Sequence, residues 1–335
     1  MSALIAGIKR GVRAAAAFGG RQNWPSLKPT LVVLSYHRVL PATDARAVVE
    51  QPGMMVTPDT FGMQLNVLRR KGFSFVHLDE WVAQRRAGGT LPRKACAITF
   101  DDGWRDNYEF AFPLLRQAQV PATIFLVADM IGTERRFWPE RVATLVAAAR
   151  ADGRLWNAPA FSWLRESHRP RLPLREAIDV CITEAKRFDD SGLERRIAQA
   201  EAKLDAPARR EASMLDWRAV REMRDSSLIR FGSHTRRHAR MLPSLNPQTM
   251  QDEIAGSRAA IAEHLGQPVS LFCYPNGDMT AAAEGIVREH YAGACTVRRG
   301  WNGARADVHR LRRINVHEDM TSSPSGFAAR LSGWV

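Results

Sequence analysis

Eight apolar runs of four to seven residues recur along this chain: LVVLSYH (31–37), FSFVHL (73–78), CAITF (96–100), ATIFLV (122–127), LIRFGSH (228–234), VSLFCYP (269–275), AGACTV (292–297) and RINV (313–316). Their β-branched and aromatic content marks them as strands, and their near-continuous apolarity, rather than a strict alternation, marks strands covered on both faces. Helical patterns separate most of them. One begins near Asp59, sets Phe61, Leu65 and Leu68 on a common face and stops at Gly72. Strands alternating with helices imply an α/β fold with a parallel sheet, either a barrel or a doubly wound sheet, and the number of strands favours the barrel. In both architectures chemistry gathers where the strands end, so the residues that follow each run are the ones to inspect.

The chain has 335 residues, 45% hydrophobic and 25% charged, which suits one large α/β domain. Residues 29–335 are assigned to the barrel. From about 129 to 215 the strand–helix rhythm gives way to arginine-rich helical sequence, read as a helical insertion. Residues 1–28 form a separate basic helical segment, with Leu4, Ile8 and Val12 on one face and Lys9, Arg10 and Arg13 beside it. Its apolar runs are too short for a secretory signal or a membrane span, so a cytoplasmic location is expected, with peripheral association at the inner face of an anionic membrane.

The formal charge of +13 comes from 48 basic against 35 acidic residues, spread as scattered arginine pairs. It lacks the aromatic–basic pattern of a nucleic-acid module, and no nucleic-acid partner is expected. Cys96, Cys181, Cys273 and Cys295 are far apart and form no CxxC, so they read as small core residues of a reducing compartment.

The third run ends in ITFDDGW, where Asp101 and Asp102 stand side by side. Adjacent acids repel, and burial makes that worse unless a cation, hydrogen bonds or one raised pKa intervenes. The same letters also make an ordinary turn with an Asp cap. The fifth run leads into FGSHTRRH, with His234 and His238 four residues apart. Two imidazoles at that spacing meet one ion if the segment coils, and a solvated basic turn is the plainer alternative. Taken together, two histidines and a carboxylate form the donor set that suits zinc or another divalent first-row metal with an open position for water.

In order and in placement after strands, TFDDG, SHTRRH and FCYPNG resemble the motifs of the polysaccharide deacetylases, also called NodB-homology domains or family 4 carbohydrate esterases. A looser likeness runs from LSYHRV to RRINVHED, outside the helical insertion. The resemblance implies a distorted (β/α)7 barrel and a divalent metal ion, zinc by preference, in a hydrolase that removes N-acetyl groups from a sugar. Carried over by residue, Asp101 is the general base, and Asp102, His234 and His238 are the metal ligands.

The third motif in the family reads Arg-x-Pro-Tyr-Gly. Here Pro275 and Gly277 anchor the match, Asn276 takes the position whose backbone N–H meets the oxyanion, and Cys273 replaces the arginine. A cysteine cannot steady a carboxylate, so Arg313 is the expected substitute partner for Asp101. His317, in INVHED, is placed like the family's proton-donating histidine. His37 ends the first run facing the site, Tyr274 is expected to line the sugar pocket, and Trp104, Trp138 and Trp217 are sugar-stacking or core aromatics.

The implied substrate is an N-acetylated glycan of bacterial surface-polysaccharide or glycolipid synthesis. A small non-sugar amide on the same fold, and an inactive glycan-binding module, are the competing readings.

Overall fold

The computed structural model describes residues 28–165, 171–204 and 213–332. The predicted basic segment therefore lies, but for its last residue, outside the described residues. No helix among those described is long and apolar enough to cross a membrane.

In chain order the strands are β1 (Thr30–Tyr36), β2 (Arg38–Val39), β3 (Met55–Val56), β4 (Ser74–Phe75), β5 (Lys94–Phe100), β6 (Ala122–Leu126), β7 (Ile229–Ser233), β8 (Leu271–Cys273), β9 (Gly293–Arg299), β10 (Asn302–Gly303) and β11 (Leu311–Asn315). Seven of them close a parallel ring in the order β1-β11-β9-β8-β7-β6-β5, and β5 returns to β1 along the whole of Thr30–Tyr36. This is the expected (β/α)7 barrel.

Its distortion has a register explanation. The lower half of β5 (Ala95, Cys96) pairs with β4, and only its upper half (Ile98 to Phe100) pairs with β6. Likewise β1 pairs with β10 at Thr30 and Leu31, and with β11 at Leu34 and Ser35. The FSFVHL run, expected as a strand like its fellows, is thus corrected to a two-residue strip outside the ring. Leu78 already opens the helix Leu78–Arg86, and too little chain remains to form a stave.

Side chains alternate across the ring as strand geometry demands. Leu31 and Val33 of β1, Ala95 and Ala97 of β5, and Cys273 and Leu311 share one core, while Val32, Leu34, Ile98 and Phe100 face the helices in another. The helix Pro58–Arg70 starts at Thr57, whose side chain accepts the Thr60 N–H, and buries Phe61, Leu65 and Leu68 as its spacing predicts.

Between β6 and β7 the helices Trp138–Ala151, Leu174–Ala185 and Asp190–Glu201 bury Val142, Leu145, Val146, Ile178, Cys181, Leu193 and Ile197 against one another, in a core of their own. Gln51 Nε2 donates to Asp179 Oδ1 (2.7 Å) and Arg175 Nε to the Glu50 carbonyl (2.9 Å), which fastens these helices to the loop after β2. All four cysteines are buried.

Candidate metal centre and active site

The alternation that builds the barrel also delivers the polar cluster at its mouth. On β5 the inward parity that holds Ala95 and Ala97 continues through Thr99 to Asp101. On β11 it runs from Leu311 to Arg313, and Arg313 Nη1 and Nη2 reach Asp101 Oδ1 and Oδ2 at 2.7 and 2.8 Å. Both side chains are 3% exposed. Burial alone would raise the Asp101 pKa; the fork of charged donors outweighs it and holds the carboxyl well below the usual range. Arg313 therefore stands where the sequence required a substitute cation. Cys273, in the position of the family's arginine, sits 3.8 Å from both Asp101 oxygens through its sulfur.

Asp102 follows immediately and would point out of the barrel if the strand continued. Instead its backbone turns left-handed (φ 77°), as does Gly103 (φ 84°). That positive φ strains any other residue at 103, and an added Cβ would also stand 2.8 Å from Ile131 Cδ1, so the turn favours glycine. Thus redirected, Asp102 accepts the Trp104 indole N–H through Oδ2 (2.9 Å), leaving Oδ1 at 3.5 Å from His234 Nε2 and 3.6 Å from His238 Nε2.

Two ligands of one zinc ion, each about 2.0–2.1 Å from it, stand at most about 4 Å apart, so both separations fit a shared ion. His234 is pre-set for that role. Its Nδ1 lies 2.8 Å from the Cys273 carbonyl, which can only accept, so Nδ1 carries the proton and the Nε2 lone pair is free. Burial lowers the pKa of His234 to about 3 and that of His238 to about 4, so both rings are neutral at pH 7, as ligands must be. Burial, opposed by His37 and reinforced by Asp101, pushes Asp102 up to about 6, a shift that a bound cation reverses.

Asp101, His234 and Cys273 also bring potential ligand atoms together. That set is the poorer one. Both Asp101 oxygens are engaged by Arg313, and burial drives the Cys273 thiol pKa well up, against the thiolate a metal needs.

The cluster opens into a cavity of about 670 Å³ between the barrel mouth, the loop after β2 and the inserted helices. His37, Tyr274, Asn276 and Arg313 line it, as do Trp138 and Glu140. His37 Nε2 lies 3.8 Å from Asp101 Oδ2. Asn276 has a left-handed backbone (φ 52°) in the turn Pro275–Gly277, in which Pro275 is buried.

His317 does not line the cavity: the chain turns into the helix Glu318–Thr321 directly after it, and its Nδ1 is drawn to Asp319 Oδ2 (3.3 Å). Tyr274 lines the cavity from a buried position, its ring edge-on to Phe272 at 5.1 Å. Of the three tryptophans, left open as sugar-stacking or core, Trp138 lines the cavity, Trp104 is a buried partner of Asp102, and Trp217 stacks on His264 at 3.9 Å.

Trp104 is itself held by Arg38, whose guanidinium lies 4.3 Å above the ring while pairing with Asp106 (2.9 Å) and Glu50 (2.7 Å). That support went unrecognised in the sequence, although the indole sits only two residues from the carboxylate it orients. Trp104→Phe, which deletes the N–H and keeps the ring, is expected to weaken zinc binding about tenfold in a chelator competition titration.

Known proteins fit this geometry. A family model described as polysaccharide deacetylase matches residues 88–166 and 184–292, more than half of the chain. The poly-beta-1,6-N-acetyl-D-glucosamine N-deacetylase of Staphylococcus epidermidis is 31% identical over 113 residues, 32% of this chain and 39% of that protein. Its namesake in Escherichia coli K12 is 33% identical over 112 residues, 33% of this chain and 16% of that protein. The match thus spans well under half of either relative.

Among solved structures, the Streptococcus pyogenes deacetylase PplD in complex with acetate superposes with a TM-score of 0.60 at 18% identity, over 91% of this chain and 99% of that one. IcaB from Ammonifex degensii superposes with a TM-score of 0.58 at 23% identity, over 90% and 97%. These likenesses show a shared fold, and with the family match across both acidic and histidine motifs they establish that the chain belongs to the polysaccharide deacetylase family.

Proposed function

We propose that this protein is a divalent-metal-dependent hydrolase that removes N-acetyl groups from an amino-sugar glycan of bacterial surface-polysaccharide synthesis. One observation carries the reading: Asp102, His234 and His238 converge through Oδ1 and two Nε2 atoms, with an arginine-clamped Asp101 next in sequence. The names of the Staphylococcus and Escherichia relatives support poly-N-acetylglucosamine as the substrate class. A cavity of about 670 Å³ has room for more than a single acetamido sugar.

An ion held by the three ligands, zinc by preference, supplies Lewis acidity toward the amide carbonyl and a water. The chain's own residues do the remainder. Asp101 accepts the water's proton, since each carboxylate oxygen keeps a lone pair beyond its bond to Arg313. The backbone N–H of Asn276 meets the carbonyl oxygen as it gains charge. His37, the histidine that lines the cavity beside Asp101, replaces His317 as the group that returns a proton to the departing amine. Water's oxygen joins the acetyl carbon, the C–N bond breaks, and acetate and a free sugar amine leave.

Acetate release from β-1,6-linked N-acetylglucosamine oligosaccharides, chitooligosaccharides and a cyclic non-sugar amide tests this reading. Turnover of a sugar substrate is expected, lost on treatment with a chelator and regained with zinc. Turnover of the cyclic amide alone, or undiminished turnover after metal removal, defeats it.

A further inference from the structure

We propose that Glu253 is a positioning residue of the metal centre: its buried carboxylate holds the turn that brings His238 to Asp102 and His234. This rests on the metal-centre reading above.

The two histidines are supported very differently. His234 is fixed by its own N–H on the Leu126 carbonyl (2.8 Å) and by its ring on the Cys273 carbonyl (2.8 Å). The His238 ring has packing partners, Phe137 at 5.3 Å and His234 at 4.9 Å between centroids, and depends on its backbone for placement. That backbone is strained: Thr235 (φ 70°) and His238 (φ 62°) are both left-handed without being glycine, and Thr235 is β-branched. Such conformations persist only where the surroundings over-determine them.

Glu253 does this from one side. Its Oε2 accepts the successive backbone N–H groups of Arg236 (3.0 Å) and Arg237 (2.9 Å), which lie between the two strained residues, and Oε1 accepts Arg237 Nε (2.8 Å). The side chain is 1% exposed, so its charge is matched by these donors rather than by water. From the other side Ala128 and Asp129 donate their N–H groups to the Thr235 and Arg236 carbonyls, at 3.1 and 2.9 Å.

The element that carries Glu253 is built for the task. Between the helices Pro247–Gln251 and Ser257–Leu265 lies a π-helical turn, Asp252–Gly256, whose wider winding re-aims successive side chains. Asp252 and Glu253 consequently both reach the same loop, Asp252 taking Arg236 Nη1 (2.9 Å) and Arg237 Nη2 (3.1 Å). Gly256 leaves space for this, because a Cβ there would stand 2.5 Å from Asp252 Oδ1.

The full-length chain, stripped of metal, is titrated with zinc against a competing chelator, and its cobalt form is examined by visible absorption. Glu253→Gln keeps the size and one acceptor but turns an NH2 toward Arg237. Its zinc affinity is expected to fall about ten- to a hundredfold with an altered cobalt spectrum, as for other partners of ligand-bearing groups. Arg237→Ala removes only the exposed arm of the network and is expected to stay within about twofold of the parent.

Unchanged zinc affinity and cobalt spectrum in Glu253→Gln overturn the proposal, whatever happens to its melting temperature. If that variant does not fold, Glu253→Asp, one methylene shorter, is expected to weaken zinc about threefold, and unchanged affinity there is equally fatal. A parent chain that binds no divalent ion overturns the metal-centre reading itself; a parent that binds zinc no better than the variant overturns this proposal alone.

Discussion

Asp101→Asn is expected to lower acetate release by about a thousandfold while zinc remains bound. Loss of a positioned general base costs roughly 10²–10⁴ in rate, and the substitution leaves Asp102, His234 and His238 untouched. The side chain keeps its shape and loses the capacity to take a proton. Steady-state acetate release together with metal content per chain checks the expectation. Undiminished turnover by the variant would remove Asp101 from the chemistry and leave the cluster as a structural metal site.

The second large effect concerns Arg313. Its pair with Asp101 is almost wholly withdrawn from water, both side chains being 3% exposed, so solvent does little to screen it. Arg313→Met strands a carboxylate in the barrel mouth, and breaking a buried pair in that way costs about 3–5 kcal/mol. Urea or thermal unfolding reads this directly. The double variant Asp101→Asn with Arg313→Met, which leaves no orphaned charge, is expected to be more stable than Arg313→Met alone.

The pH dependence has a definite sign. The native Asp101 pKa is depressed, so its contribution to stability is full above the unfolded carboxyl value of about 3.9 and fades as pH falls toward the native value. Without Arg313 the largest influence holding the carboxyl down is gone, and burial draws its pKa upward from the native value. The acidic limb of activity in Arg313→Met therefore moves to higher pH, since the base must be ionised to act. An unmoved limb would mean that Arg313 does not govern Asp101.

Much of the ring was readable from the amino acids, because burial on both faces leaves an unbroken apolar signature on β1, β5 and β6. FSFVHL bears the same signature without joining the ring, and it leaves Ser74 exposed and Phe75 half-buried: apolar composition does not secure pairing where so little chain remains before the helix at Leu78.

In the site, the letters of TFDDG and SHTRRH pointed to the side chains that converge, Asp102, His234 and His238. Arg313 followed from asking where a counter-charge could come from once Cys273 occupied the arginine position. His317 misled because proximity to a strand end says nothing of which way a chain turns next. Trp104 and Glu253 left no motif at all: an indole N–H and a carboxylate accepting backbone donors are roles that many residues fill, and only coordinates distinguish them.

The helices that wall the cavity owe their cohesion to Val142, Leu145, Ile178, Ile197 and their neighbours, a nucleus separate from the one that braces the barrel. The two meet at Phe137, which heads the helix Trp138–Ala151 and packs on His238 at 5.3 Å between ring centroids. On the proposed function, exchanging side chains on that wall while keeping Phe137 against His238 would retune which carbohydrate lengths are admitted, an adjustable vestibule beside the ligand cluster.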